Sequence, residues 1–219
     1  MNLNISEHGH FSFDLWLTLI KSNPAFKEKR NLLFKEYFEI NVPIEKVTKV
    51  IRYYDVLCNN INEKSGLNFN TFEIYYLILN ALEVDLELID AVILEDFYKE
   101  TEKLFMTFKP NLIYLDIESL FKKITQHDKT ISILSNTGFI KGGTLRKLLE
   151  YYDLNKYFSF QLFSDETGFS KPNTKMFQLV YNGVCEIKVL EKKNILHVGD
   201  NVRADYNGAM NFGFSALLI

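Results

Sequence analysis

The chain has 219 residues, 47% apolar and 24% charged, with a formal net charge of −3 at neutral pH. That length holds one large domain, or a core with a smaller insert. The charge excludes the basic field that draws in nucleic acid or an anionic membrane. Two cysteines, Cys58 and Cys185, supply neither a disulfide framework nor metal-ligand spacing.

Residues Met1 to His10 are polar and lack the apolar centre of a signal peptide. The most apolar stretch, Ile74 to Leu82, is too short to span a bilayer and is bounded by Glu73 and Glu83. The expectation is a cytoplasmic protein without membrane association. Nothing in the sequence specifies an oligomeric state.

The first strand is predicted over Phe11 to Asp14. His8 and His10, just before it, read as surface residues. Ser22 or Asn23 can cap a helix that Pro24 opens. Phe26, Leu33, Phe34, Tyr37 and Phe38 give this helix a core-facing stripe. Pro43 starts a second helix with Val47, Val50, Ile51, Tyr54, Leu57 and Ile61 on one face, and Gly66 ends it. Asn70 and Glu73 form a capping box for a third helix through Leu82. A fourth runs from about Leu86 to Phe105, ahead of Pro110.

Beyond Pro110 helices and strands alternate. Helices are predicted over Asp116 to Thr125, Leu145 to Tyr151, Lys175 to Val184 and Ala204 to Asn211. Strands are predicted over Thr130 to Leu134, Phe158 to Phe163, Ile195 to Val198 and Phe214 to Ile219. This alternation implies an α/β protein: a Rossmann-like parallel sheet with helices on both faces, interrupted by an all-helical insert. The boundaries expected are 1–19 plus 109–219 for the core and 20–108 for the helical cap.

A parallel sheet binds its ligands at the carboxyl ends of its strands. Four polar clusters fall there. Asp14 ends the first strand, with Trp16 and Thr18 close behind it, and a carboxylate so placed can act as a nucleophile. Ser135-Asn136-Thr137 follows the second predicted strand and can hold an anion's oxygens. Lys171, in Ser170-Lys171-Pro172, can neutralise transition-state charge. Asp200 and Asp205 flank a turn after Gly199. Either aspartate also suits a helix cap, but three carboxylates facing one another favour a hard cation such as Mg²⁺. Arg30, on the first cap helix, is a candidate for a substrate's anionic end or a surface ion pair. His197, inside an apolar strand, reads as a satisfied core histidine.

The order Asp14, Ser135, Lys171, Asp200–Asp205 along a βα alternation resembles the four motifs of the haloacid dehalogenase-like (HAD) hydrolases. The insert between the first two motifs falls where that family places its C1-type cap. The resemblance implies a hydrolase in which Asp14 attacks the substrate, Ser135 binds an oxygen and Lys171 stabilises charge. Asn136, Thr18 and Arg30 would contact substrate. Asp14, the Trp16 carbonyl, Asp200 and Asp205 would hold Mg²⁺. A small phosphorylated molecule is the substrate expected.

Trp16 departs from that pattern. Phosphatases of the family usually carry there the aspartate that protonates the leaving group and activates water. Indole does neither. The dehalogenase branch carries an aromatic residue at this place, so a metal-independent 2-haloacid dehalogenase is the alternative. A catalytically weak relative that binds a ligand or partner is another. Leu17 replaces a common glycine in the following turn.

Overall fold

The computed structural model describes residues 3–219. Its centre is a five-stranded parallel sheet of order β5-β4-β1-β6-β7. The strands are β1 (His10–Phe13), β4 (Thr130–Ser135), β5 (Phe160–Phe163), β6 (Ile195–Gly199) and β7 (Ser215–Leu218). A second, antiparallel ribbon pairs β2 (Ile20–Lys21) with β3 (Asn111–Leu112). There the chain leaves the sheet region and returns alongside itself.

β1 lies between β4 and β6, with Phe13 level with Ile133 on one side and Val198 on the other. All four of its residues are buried, as a strand covered on both faces must be. Phe11 and Phe13 join Ile131, Ile133, Leu196 and Val198 in an apolar layer closed by helices α5 (Ile117–Gln126) and α6 (Gly142–Tyr151). Leu134 and Ile195 pack instead with α8 (Thr174–Ile187) and α9 (Gly208–Phe212).

His10 is a correction to the sequence reading. It is fully buried inside β1, where its ring nitrogens meet Thr130 Oγ1 at 2.7 Å and Ser132 Oγ at 2.8 Å. The sheet supplies two hydroxyls on the neighbouring strand, so a polar ring is tolerated in the interior. The strand begins one residue earlier than expected, and Asp14 lies just beyond its end.

Between β2 and β3 come four helices, α1 (Pro24–Tyr37), α2 (Ile44–Ser65), α3 (Thr71–Ala81) and α4 (Ala91–Thr107). Asn23 caps α1 through the Ala25 N–H, and the Asn70/Glu73 capping box is complete. The fourth helix is shorter than expected at its start. Leu86–Leu88 form a separate 3-10 turn, and Asp90 caps α4 through the Ile93 N–H. These helices build their own core, in which Phe34, Phe38, Tyr75 and Phe97 pack as an aromatic cluster with Phe139.

The inward face of α2 is rotated from the expected one. Val47, Ile51, Cys58 and Asn62 are buried, whereas Ile61 is exposed. Asn62 accepts the Phe69 N–H at 2.9 Å and so holds the loop after the helix. Gly66 ends α2 in the left-handed conformation, φ 71°. A Cβ there would collide with Asn173, whose amide donates to the Gly66 carbonyl at 2.9 Å. The same carbonyl accepts the Ser170 N–H at 3.1 Å, tying the cap to the segment that carries Lys171. Among the described residues, no helix is long and apolar enough to cross a membrane.

Candidate active site

The carboxyl ends of β1, β4 and β6 meet at one edge of the sheet, and the charged residues cluster there. Asp14 continues the line of β1, its N–H bonded to the Val198 carbonyl at 2.9 Å. Its Oδ1 accepts from Ser135 Oγ at 3.0 Å and from Lys171 Nζ at 2.7 Å. Its Oδ2 accepts from Thr18 Oγ1 at 3.2 Å. All four side chains are buried.

Lys171 is held from every side. Its ammonium donates to Asp14, to Asp205 Oδ1 at 2.6 Å and to the Leu134 carbonyl at 2.7 Å. Asn136 brackets its backbone, donating to the Lys171 carbonyl at 3.0 Å and accepting its N–H at 2.8 Å. Burial alone would push this amine down, but the two carboxylates override it and hold the pKa above the usual lysine range.

Asp205 is equally engaged. Oδ1 accepts from Lys171 and from His197 Nε2 at 3.0 Å, and Oδ2 accepts the Asn201 N–H at 3.0 Å. Burial would raise its pKa; Lys171 and His197 instead hold it well below the carboxylate range. Gly199 makes room for this arrangement, since a Cβ there would overlap the Asp205 carboxyl group. The backbone supplies the rest. The helix expected from Ala204 begins as a π-helical turn, Val202–Asn207, capped by Asn201 through Arg203 and Ala204 N–H groups.

Asp200 stands apart. It is half-buried, and no side chain among the described residues donates to its carboxylate. Burial, then the charges of Asp14 and Asp205, push its pKa up to about 6. One carboxylate oxygen from each of Asp14, Asp200 and Asp205 lies within 4.8 Å of the others. An all-oxygen cluster with one carboxylate raised by its neighbours fits a hard divalent cation. Asp14, Asp200 and the Trp16 carbonyl have acceptor capacity left. Asp205, like Asp14, accepts three hydrogen bonds, from Lys171, His197 and the Asn201 N–H.

The other sequence candidates are placed as follows. Thr18 and Asn136, expected against substrate, turn their polar atoms to Asp14 and to the Lys171 backbone, so they act on the machinery. The Trp16 ring packs edge-on against Phe105 and lines a cavity of about 220 Å³, with no carboxylate in its place. Arg30 lines the same cavity. Leu17 takes the left-handed conformation, φ 59°, so the turn is kept without glycine. Arg203 is exposed. His197 is a satisfied core histidine, held by Ser12 Oγ at 3.0 Å, but its second partner is Asp205. Sequence reasoning missed that link. The clue was its place two residues before Gly199, on the strand that leads to Asp200.

The family model for haloacid dehalogenase-like hydrolases matches residues 12–219. The comparison with curated proteins gives no match. Among solved structures, the chain is similar to the HAD-hydrolase YfnB from Bacillus subtilis bound to magnesium. Identity is 18% and TM-score 0.70, over 98% of this chain and 89% of that one. A HAD phosphatase from Thermococcus onnurineus is 15% identical with TM-score 0.66, over 96% and 85% of the two chains. A 2-haloacid dehalogenase from Pseudomonas syringae is 18% identical with TM-score 0.64, over 96% and 86%.

Proposed function

The chain belongs to the haloacid dehalogenase-like hydrolases, and on that premise we propose that it is a Mg²⁺-dependent phosphohydrolase of small phosphorylated molecules. Residues 1–19 and 109–219 form its catalytic core, and residues 20–108 its cap. The observation that carries this reading is the set of three carboxylates, Asp14, Asp200 and Asp205, gathered within 4.8 Å with one lysine among them. One ammonium does not balance three carboxylates, and a divalent cation does.

Asp14, the Trp16 carbonyl and Asp200 would hold the cation, with Asp205 behind them. The metal would supply charge neutralisation for the incoming phosphoryl group. An Asp14 oxygen attacks phosphorus, the bond to the leaving group breaks, and an aspartyl-phosphate forms. Ser135 and Lys171 already stand on Asp14, where they meet the phosphoryl oxygens as well. Asp205 and His197 fix the lysine, so its charge is preorganised rather than recruited. Water then cleaves the aspartyl-phosphate and returns Asp14.

Trp16 shapes the substrate range. With indole where a proton donor would stand, good leaving groups such as acyl or enol phosphates are favoured, because they depart without proton help. An aromatic wall beside Asp14 also supports a second reading, displacement of halide from a 2-haloacid.

A panel of phosphorylated metabolites assayed with Mg²⁺ and with chelator tests the proposal, beside 2-haloacids. Phosphate release that requires Mg²⁺, and that Asp200→Asn abolishes together with tight Mg²⁺ binding, is the expected result. Halide release in chelator, with no phosphate release, would overturn it in favour of the second reading.

A further inference from the structure

The cavity beside Trp16 holds an arginine that forms no ion pair among the described residues. It has a volume of about 220 Å³ and is lined from the core by Trp16, Asn136, Thr137 and Phe139, and from the cap by Phe26, Lys27 and Arg30. Trp16 follows Asp14 by two residues, and Asn136 follows Ser135 directly. Two of the lining residues therefore neighbour in sequence the residues assigned to the phosphoryl group.

Arg30 is built into this cavity rather than left to move. Its Nε and Nη2 donate to Asn31 Oδ1 at 3.3 and 3.0 Å. Asn31 is itself buried and donates to Thr48 at 3.3 Å. The guanidinium lies 4.3 Å from the centre of the Phe139 ring, which is stacked on Tyr75 in turn. Burial pushes the arginine pKa down, which marks an environment where the charge is costly. Among the described residues Arg30 forms no ion pair, and neither does Lys27 one turn away. The one carboxylate lining the cavity, Asp55, acts on Arg30 through its charge but makes its ion pair with Arg52, at 2.9 Å. A guanidinium has five N–H donors, so an oriented fork remains for an incoming acceptor. The geometry matches a carboxylate, which takes two parallel N–H bonds from one arginine.

We propose that the substrate is a small phosphorylated carboxylic acid, its phosphoryl group on Asp14, Ser135 and Lys171 and its carboxylate on Arg30. This rests on the phosphohydrolase reading and narrows it. The volume, below the range usual for drug-sized ligands, admits a short carbon chain lying along Trp16 and Phe26. Arg30 then sets specificity, and Lys27 adds field at the rim.

Non-hydrolysable phosphonates separate this inference from the reading beneath it. Calorimetry on the full chain with Mg²⁺ compares phosphonoacetate and 3-phosphonopropionate with propylphosphonate, which lacks the carboxylate. The better of the two acids is expected to bind about 10-fold tighter or more, as one charge-assisted pair provides. In Arg30→Gln that ratio falls to about 2 or less, and Arg30→Lys keeps an intermediate value because the charge stays while the fork is lost. Equal affinities in the parent, or a ratio unchanged by Arg30→Gln, overturn the carboxylate assignment while phosphonate binding leaves the phosphohydrolase reading standing. An unchanged ratio with all three affinities lowered would mean that Arg30 serves the phosphoryl group itself. Failure of all three phosphonates to bind overturns both. The parent comparison needs no variant, so it decides even if Arg30→Gln does not fold.

Discussion

The sheet and the helical insert bury different things. Around β1 the interior holds Ser12, Asp14, Thr18, Ser135, Lys171, His197 and Asp205, joined by hydrogen bonds, and His10, bonded to Thr130 and Ser132. From α1 to α4 the buried polar side chains away from the Arg30 cavity are neutral: Asn31, Asn62, Thr71 and Thr101. Aromatic rings fill the rest, with Phe34, Phe38 and Phe97 at centroid distances of 4.9–5.3 Å. Charge is expensive in an interior and is cheapest to keep where it is paired, and the insert's one such charge among the described residues, Arg30, faces a cavity. The sheet edge meets that cost because three strand ends deliver partners to one point. The helical insert offers its buried groups mostly apolar faces and a few neutral hydrogen-bond partners.

The sharpest way to break this contrast is to remove the lysine. Lys171→Met leaves Asp14 and Asp205 buried without their cation. It is expected to lower stability by about 3–5 kcal/mol and to abolish turnover, measured by urea denaturation and phosphate release. Phe97→Ala in the cap is expected to cost a similar ~3–5 kcal/mol through a cavity, yet to keep turnover within about 10-fold of the parent below its unfolding transition. Equal loss of activity in both would show that the two regions do not divide labour as described.

Trp16→Asp sharpens the contrast at the boundary. A carboxylate there restores a proton donor beside Asp14, so turnover of alkyl phosphates is expected to rise about 10²-fold or more, with a smaller gain on acetyl phosphate. An equal gain on every substrate, in a variant shown to be folded and to bind Mg²⁺, would contradict the leaving-group argument.

His10 tests the polar interior away from chemistry. Burial pushes its pKa from 6.5 down to about 3. The folded protein therefore holds it neutral, while the unfolded chain takes up a proton below pH 6.5. Its contribution to stability is full above pH 6.5 and falls as pH drops toward 3, by about 1.4 kcal/mol per pH unit. Denaturation at pH 7 and pH 5 should show His10→Gln less sensitive to acid than the parent. A parallel decline in both would assign acid sensitivity elsewhere.

The smallest effect concerns Leu17. It is 62% exposed at φ 59°, a conformation that costs an L-residue about 1–2 kcal/mol. Glycine relieves that strain and loses chain entropy of about 0.5–1 kcal/mol. Leu17→Gly is expected to raise stability by about 0.5–1 kcal/mol in urea, and a lowered midpoint would contradict it.

The sheet side was the more legible half. Asp14, Ser135 and Asp200 could be placed because each ends or follows an apolar strand, and a parallel sheet fixes where such ends lie. Lys171 needed its motif as well, since it follows β5 only after the short helix Ser164–Thr167. What failed were features set by partners distant in sequence. His10 looked like a surface residue because Thr130 and Ser132, which satisfy it, are more than a hundred positions away. Asn62 displaced Ile61 from the inner face of α2 because the loop to Phe69 needed an acceptor. The β2–β3 ribbon has two residues per strand, too few for alternation to be seen.

Gly66 carries a consequence for anyone who would rebuild the molecule. Its carbonyl takes two donors from the segment that positions Lys171, the Ser170 N–H and the Asn173 amide. A chimera that grafts a foreign lid onto this sheet would strip both donors of their acceptor, beside the residue that must not move. The natural module for transplantation is thus the helical insert together with residues 168–173, though about sixty positions of chain separate the two.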